Sequence, residues 1–227
     1  DASKSSVPGT EIKESVLPED QISTSIEVTP RWSLLGHYQF NFTETVLNAV
    51  GAYQSTSDLV GPGAKPANYI RPSDAGQWGI GTRYRVSDET EVGMYYLNYN
   101  DRSPAVQYGA DGRYNIRYFD NVKMLAGTVS TTFGKMTAYS EYSYRKGTPV
   151  NVGAYNIPTR ANQSQLNVGG MYNIGRTSLA DDMVLLGEFA ATRLHSLESG
   201  SLNDLSFRSR STLAFSGTLS MSYPGIA

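Results

Sequence analysis

The chain contains no cysteine and only two histidines among its 227 residues, and its formal net charge is −2. The absence of cysteine argues against a small disulfide-rich scaffold, and two histidines leave little from which to build a zinc site. A net charge so close to zero offers no basic footprint for DNA or RNA. The composition therefore points away from disulfide-rich, zinc-binding and nucleic-acid-binding proteins.

The chain also lacks any run of 18 apolar residues, which excludes a transmembrane helix. Its mean hydropathy of −0.37 is typical of a soluble protein. A transmembrane β-barrel has a similar average, because lipid-facing and lumen-facing residues alternate along each of its strands. Hydropathy alone leaves both classes open, and the 16 tyrosines and 22 glycines are the features to explain.

The stretch Trp32–Phe42 shows the pattern around which the chain is organised. Its aromatic and large apolar residues occupy alternate positions, and polar residues such as His37 fall between them. Because strand side chains point alternately to opposite faces, this stretch has one aromatic-rich face and one mostly polar face. Its length suits a tilted strand that crosses a bilayer, with Trp32 at one headgroup level and Phe40 and Phe42 at the other. A surface strand of a soluble β-sandwich would alternate in the same way.

Alternation of this kind recurs along the chain and predicts about nine strands. Tight links join several neighbours, as at Pro30-Arg31, Ser87–Glu89 and Phe133-Gly134. The predicted strands are Gln21–Thr29, Trp32–Phe42, Gln77–Arg85, Glu91–Asn100, Val122–Thr132, Lys135–Arg145, Ala161–Asn173, Met183–Leu194 and Ser211–Tyr223.

Three long polar segments, 44–75, 101–121 and 146–160, separate the predicted hairpins. Compact soluble domains rarely have such long connections, whereas outer-membrane barrels combine long extracellular loops with short periplasmic turns. The pattern favours an all-β, antiparallel, up-and-down transmembrane β-barrel over residues 21–227, preceded by a loop over residues 1–20. Bacterial single-chain barrels have an even strand number, and neither end of the chain has the features of a natural terminus. We therefore expect nine strands of a larger barrel.

Charge predicts which face of each strand meets water. An arginine on the lipid side near the bilayer centre costs about 2 to 4 kcal/mol, so Arg83 and Arg85 should face the lumen. Glu188 marks the water face of its strand, and Arg193 then falls on the lipid side, which requires a position near the strand end. The predicted lumen-facing residues are His37, Gln39, Arg83, Arg85, Gln163, Gln165 and Glu188. The predicted lipid-facing residues are Trp32, Phe40, Trp78, Ile80, Phe215, Leu219 and Tyr223.

The facing of Glu91–Asn100 is undecided, because both of its alternate sets contain apolar or aromatic residues. Tyrosines in such strands are typical of the aromatic girdles at membrane interfaces. If Tyr95 and Tyr99 faced inward, they could instead form a track on which sugars stack.

No catalytic or metal-binding motif is present. Gly79-Ile80-Gly81 begins like a dinucleotide-binding loop but lacks the third glycine, and glycines that make room on the inner face of a strand are the better interpretation. There is no G-x-S-x-G nucleophile elbow, so we interpret His37 as a wall residue and His195 as a solvated residue at the start of a loop. Asp181-Asp182 and Asp111 lack the spaced acidic series of a calcium loop and fit turns. We therefore expect a protein that is not an enzyme and needs no metal or cofactor.

Several segments resemble a known family. RPSDAGQWG at 71–79, EVGMYYLNYNDRSP at 91–104 and GTVSTTFG at 127–134 are similar to stretches of the Gram-negative, pseudomonad-type outer-membrane proteins catalogued as domain of unknown function 1302. The resemblance covers most of the chain from about Gln21 onward and implies a middle-to-late segment of an outer-membrane β-barrel. Members are often encoded beside a transporter of the resistance-nodulation-division type and a periplasmic partner. The resemblance therefore implies the passage or envelope trafficking of hydrophobic molecules, and it implies no catalytic residues.

Two functions stay open from the sequence. The first is a porin-like or envelope-transport barrel of the bacterial outer membrane for small or hydrophobic molecules, in contact with the lipid bilayer and with a transporter and periplasmic partner. The second is a soluble extracellular β-rich module, such as a carbohydrate binder or a fibre subunit. An outer-membrane enzyme ranks below both, because the chain contains no recognisable nucleophile constellation.

Overall fold

The computed structural model describes residues 19–52, 55, 60–64 and 66–223. Every regular element within these ranges is a β-strand, so the predicted all-β class is confirmed. The loop predicted over residues 1–20 lies, except for its last two residues, outside the described residues, as does the chain after Tyr223. Within the described ranges the structure contains no helix that is long and apolar enough to cross a membrane.

Nine strands form one antiparallel sheet in which each strand is hydrogen-bonded to the next one along the chain. They are β1 (Gln21–Thr29), β2 (Trp32–Gln39), β4 (Gln77–Arg85), β5 (Thr90–Tyr99), β8 (Val122–Phe133), β9 (Met136–Val152), β10 (Ile157–Asn173), β11 (Asp182–Leu197) and β12 (Ser211–Ser222). The remaining strands belong to a second sheet. The predicted number of strands and their up-and-down order in the main sheet are both confirmed.

The sheet has two ends that differ in the length of their connections. At the turn end, strands are joined by residues 30–31, 86–89, 134–135 and 174–181. At the loop end, the connections are residues 40–76, 100–121, 153–156 and 198–210. The three longest connections, 40–76, 100–121 and 198–210, therefore lie at one end of the sheet, and the fourth connection there, 153–156, is a short turn where the sequence predicts a long loop.

The sheet is open in the described part of the chain. Strands β1 and β12 lie at its two edges, and each pairs with a single neighbour. All residues of both strands are exposed. Each edge therefore has a row of backbone groups that pair with no strand of this sheet.

Two connections predicted as loops contain a second, small sheet. Strand β3 (Asn68–Ile70) pairs in parallel with β7 (Tyr114–Arg117), and β6 (Ala105–Tyr108) pairs with β7 in antiparallel fashion. The two loops also share an apolar cluster of Phe42, Val60, Tyr114, Ile116 and Tyr118. The prediction of purely irregular loops is wrong, because these segments bury a core of their own.

The predicted strand Trp32–Phe42 ends earlier than expected. The backbone N–H of Phe42 donates to Asp74 at 3.1 Å, and its side chain is only 2% exposed. Phe40 lies just past β2, where it is exposed and packs edge-on against Tyr38 with ring centroids 5.3 Å apart. Assigning Phe42 to the apolar face is therefore wrong, because its ring belongs to the core of the loops.

The prediction of a third loop over residues 146–160 is also wrong. Strand β9 continues to Val152 and β10 begins at Ile157, so the two form a long hairpin closed by residues 153–156. Pro149 and Pro158 suggested a loop, but both lie where the hairpin extends beyond its neighbours β8 and β11. Proline is tolerated there because no adjacent strand needs its missing N–H.

The strand predicted over Met183–Leu194 is longer than expected. Strand β11 continues to Leu197, so the prediction that His195 begins a loop is wrong. The pairing with β10 skips from Leu194 to Ser196, which makes His195 the extra residue of a bulge. Its ring is exposed and lies 2.8 Å from the Ser164 hydroxyl.

Candidate functional site

The two faces of the nine-stranded sheet follow from its register, because directly paired residues share a face. The residues predicted to face the lumen lie in rows of paired residues, or ladders, that cross the strands on one face of the sheet, here called the polar face. One such ladder runs through Arg85, Glu91, Ser130, Tyr139, Gly169, Glu188 and Ser216. All seven predicted lumen residues, from His37 and Gln39 on β2 to Glu188 on β11, lie on this face.

The predicted lipid-facing residues fall on the opposite face, here called the apolar face. One of its ladders runs through Trp32, Tyr84, Val92, Val129, Ser140, Val168, Phe189 and Phe215. Trp78, Ile80 and Leu219 share this face within strands, while Phe40 and Tyr223 continue its alternation just past the ends of β2 and β12. The two predicted sets therefore lie on opposite faces of the sheet.

The register also decides the facing of β5. Arg83 pairs with Gly93 and Gly81 with Tyr95, which places Tyr95 on the polar face. Tyr99 has the same parity and pairs with Val122. Tyr96 and Met94 lie on the apolar face instead. Both tyrosines whose orientation the sequence left open therefore point to the polar side.

Rings on the polar face lie over glycines of the neighbouring strand. A Cβ on Gly79 would come within 2.3 Å of the His37 ring, and one on Gly81 within 2.5 Å of the Tyr95 ring. The same relation holds at Gly169, where a Cβ would lie 2.4 Å from the Tyr139 ring. The glycines make room for aromatic side chains that lie flat on the sheet. This confirms the structural interpretation of Gly79-Ile80-Gly81.

Two shallow grooves result on the polar face. One, of about 430 Å³, is lined by Ser23, Ser25, Leu35, His37 and Tyr95 near the β1 edge. The other, of about 320 Å³, lies at the turn end near β12 and includes Tyr139, Glu188, Ser216 and Thr218. Hydroxyl groups line both grooves, with the His37 imidazole in the first and the Glu188 carboxylate in the second, so each groove can hydrogen-bond to water or to a polar solute.

Some charged groups on the polar face have partners on other strands. Arg83 Nη1 lies 3.8 Å from Glu91 Oε1 on β5, and the Tyr139 hydroxyl donates to Glu188 Oε2 at 3.2 Å. The polar face is therefore a mixed, hydrated surface rather than a field of one sign. Such a wall does not by itself select anions over cations.

The connection 198–210 folds over the polar face at the loop end. Arg208 donates to Gln163, one of the predicted lumen residues, at 3.2 Å. Leu202 and Leu205 pack against a cluster that includes Leu194, whose side chain is fully buried. The loop therefore covers the part of the polar face on β9, β10 and β11. Burial lowers the pKa of Arg208 from its ordinary value.

Gln77 links the other two long connections, 40–76 and 100–121, to the sheet through side-chain hydrogen bonds. Its side chain is 2% exposed, its amide donates to the Asn41 carbonyl at 3.1 Å, and its carbonyl accepts the Asn100 N–H at 3.1 Å. A buried amide with both groups satisfied is a rigid link. The sequence analysis missed Gln77 and Arg208, because nothing in their local pattern distinguishes a side chain that ties a loop down from an ordinary polar one.

A comparison with protein families matches residues 1–225 to the family described as "Protein of unknown function (DUF1302)". The chain belongs to this family. The resemblance drawn from the sequence is confirmed at that level. A search of curated proteins finds no match to the chain.

The loops of this DUF1302 chain are held by ion pairs near the loop end. Arg71 Nη2 lies 2.7 Å from Asp74 and its Nε lies 3.2 Å from Glu44. The hydrogen bond from Arg71, with a second from the Phe42 N–H, lowers the pKa of Asp74. Burial raises the pKa of Glu44, but hydrogen bonds from its own backbone, Tyr69 and Arg71 lower it more, so the net pKa lies below its ordinary value. Both carboxylates are therefore ionised and paired at neutral pH.

Acidic residues weighed as calcium ligands have other partners in the DUF1302 structure. Asp111 accepts a hydrogen bond from the Arg113 N–H at 3.1 Å, as in a tight turn, and Asp181 lies 3.3 Å from Arg176. Among the described residues, no group of three or more histidine, aspartate or glutamate side chains could hold a metal ion.

Proposed function

We propose that this DUF1302 chain forms part of the wall of an outer-membrane β-barrel. Its polar face lines a path for small or hydrophobic molecules, and its apolar face contacts lipid. The protein acts in porin-like passage or envelope transport rather than as an enzyme.

The observation that carries this proposal is the bare apolar face. Large apolar side chains on it are exposed over the whole sheet, from Ile22 (63%) on β1 through Ile80 (58%) to Phe215 (80%) on β12. Soluble monomers rarely expose apolar patches larger than a few hundred Å². A sandwich module would need a second layer over this face, and the small sheet and loops of the described chain pack elsewhere.

The open edges support the same proposal. In hydrocarbon, unpaired backbone groups cost several kcal/mol each, so a sheet in lipid must close on itself. We infer that β1 and β12 join further strands to complete the barrel. The aromatic residues suit this placement, because Trp32 and Trp78 lie near opposite ends of the apolar face. Trp78 on β4 pairs with Tyr38 on β2, and Tyr38 lies six residues after Trp32 along β2. Six residues span roughly 20 Å of strand, comparable to an apolar band in a bilayer.

The loop end is the side that faces away from the cell in this proposal. The loops that fold over the polar face there would narrow the path rather than leave an open channel. A transporter of the resistance-nodulation-division type and its periplasmic partner would then exchange hydrophobic cargo at the turn end.

The test uses the two tryptophans, which are the only ones in the chain. The full chain is folded into phosphatidylcholine vesicles whose acyl chains carry bromine at defined depths, and tryptophan fluorescence is measured. We expect quenching of both single-tryptophan variants, W32F and W78F, with shallow bromines more effective than deep ones.

Unquenched fluorescence, or a protein that stays in solution without detergent, would overturn the proposal and favour the soluble binding or structural module. A protein that is quenched but gives no conductance in planar bilayers would keep the barrel and reject the open pore. The remaining role would then be trafficking along the wall.

A further inference from the structure

The apolar face of the nine strands holds basic side chains but no acidic ones, whereas the polar face holds charges of both signs, including Arg83, Arg85 and Arg145. All acidic residues in these strands, Glu27, Glu91, Glu141, Asp182 and Glu188, lie on the polar face. Four basic residues, Lys123, Lys146, Arg160 and Arg193, lie on the apolar face. The apolar face of these fully described strands therefore contains cations and no anions.

The four cations are gathered at one end of that face. Lys123 on β8 pairs directly with Lys146 on β9, and Lys146 pairs in turn with Asn162 on β10. Arg193 pairs with Ser211, the first residue of β12, so it also lies at the loop end. This position resolves the conflict that the sequence raised for Arg193. Directly opposed lysines destabilise a sheet unless an anion lies between them.

Acidic residues close to this cluster are already engaged. Arg160 contacts both the backbone and the carboxylate of Asp120, and its Nε lies 4.0 Å from Glu198. Lys123, Lys146 and Arg193 form no ion pair with any described residue. Three exposed positive charges therefore stay uncompensated at the loop end.

Aromatic and apolar side chains lie directly below Lys123 and Lys146 on the same face, and beside Arg193. The next ladder towards the turn end contains Tyr96, Leu125 and Tyr144 and continues through Ser164 to Arg193, and the Tyr144 ring lies 5.9 Å from that of His195. Beyond it come Met94, Tyr142 and Leu166. From the loop end inward, the cations therefore lie on the first two of these ladders, and the third has aromatic and apolar side chains. A bilayer surface shows the complementary order of phosphate, interface and hydrocarbon.

We propose that Lys123, Lys146 and Arg193 form a docking site for the phosphate of an anionic lipid headgroup, with the lipid's acyl chains lying on the apolar face below. This inference rests on the proposed membrane function. Lys146 also lines a groove of about 350 Å³ with Arg160, Asn162, Ser196 and Glu198, in which Asn162 and Ser196 offer neutral hydrogen-bonding groups and Glu198 lies 4.0 Å from Arg160 Nε. A phosphate placed among the three cations would remove the repulsion between the paired lysines.

The test measures lipid binding by the full chain in detergent, using native mass spectrometry. Phosphatidylglycerol and phosphatidylcholine with identical acyl chains are titrated in parallel. The loop-end variant is K123Q/K146Q/R193Q. Its matched control, R31Q/K135Q/R176Q, removes three basic residues from the turn end instead. Insertion of each protein into vesicles is followed separately by quenching with brominated lipid.

We expect the wild type and the control to prefer phosphatidylglycerol. We expect the loop-end variant to lose roughly fivefold in that preference per charge removed, or about a hundredfold in total. Insertion with no preference for the anionic lipid, or equal loss in both variants, would overturn this inference while leaving the barrel intact. Competition by inorganic phosphate as effective as that by phosphatidylglycerol would replace the lipid site with a free-anion site. A chain that does not insert would overturn the proposed function and this inference together.

Discussion

Neighbouring residues of one strand meet different surroundings in this sheet. Phe215 and Ser216 are adjacent in β12, but Phe215 pairs with Phe189 on the apolar face and Ser216 pairs with Glu188 on the polar face. Phe215 is 80% exposed, which no contact within the described chain explains. The contribution of such a residue to the free energy of unfolding therefore depends on whether water or lipid covers the face.

Phe215→Arg should therefore destabilise the folded protein in vesicles far more than Ser216→Arg. An arginine facing lipid costs about 2 to 4 kcal/mol at mid-bilayer. One opposite Glu188 costs little and can gain an attractive cross-strand pair. The free energy of unfolding, from urea titration of vesicle-bound protein, checks this. Equal losses would mean that the assignment of the faces to lipid and water is wrong.

Glycine on the polar face is required by shape at particular positions. Gly169→Ala should destabilise the protein by about 1 to 3 kcal/mol, because the new methyl group would displace the Tyr139 ring from the sheet. Gly187→Ala, on the apolar face of a neighbouring strand, is the control, since nothing lies within 4 Å of its Cβ position.

Removing the ring should remove the conflict. In the double variant Gly169→Ala/Tyr139→Ala, the added methyl group should cost much less than in the single variant, as a double-mutant cycle would measure. If both glycine variants have the same stability, the ring does not need the space that Gly169 leaves.

The strands show where the local sequence pattern was sufficient to predict the bounds of an element and where it was not. Strands with a strict alternation, such as β1, β4 and β12, appear close to their predicted bounds, because period two with one apolar face describes a strand in either solvent. The β9–β10 hairpin was missed beyond Arg145, since proline and glycine normally mark loops. Those residues form strands because the hairpin extends past its neighbours, a relation between elements that no local window contains.

The connection 198–210 can be tested as an element. Arg208→Ala removes its hydrogen bond to Gln163 and should loosen the loop over the polar face. In planar bilayers we expect a larger single-channel conductance than in the wild type. Arg176→Ala, at the turn end and exposed, is the control and should leave conductance unchanged. A conductance unaffected by Arg208→Ala would mean that this loop does not narrow the path.

At the scale of the whole molecule, the described chain is built around one open sheet of nine strands. Its two faces differ sharply in polarity, and its long loops share an apolar core. Its stability cannot come from a layer packed on the apolar face, because the described chain supplies none. The two clusters of buried apolar side chains lie at the loop end, where Phe42, Tyr114 and Tyr118 belong to one and Val150, Ala161 and Leu194 form the other. The remainder of the sheet depends on its hydrogen-bond ladder and on whatever contacts the two edges and the apolar face.

The sequence by itself determined the strand number, the up-and-down order and the division of side chains between two faces, because side-chain alternation is a local property of an extended backbone. It also indicated the family. Only the tertiary structure decided that the loops at Phe42 and Tyr118 share a core, that Arg208 reaches Gln163, and that Lys123, Lys146 and Arg193 gather at one end of the apolar face. Those relations join residues from 23 to 76 positions apart, and they arise from strand register and loop packing, which no single stretch of sequence encodes.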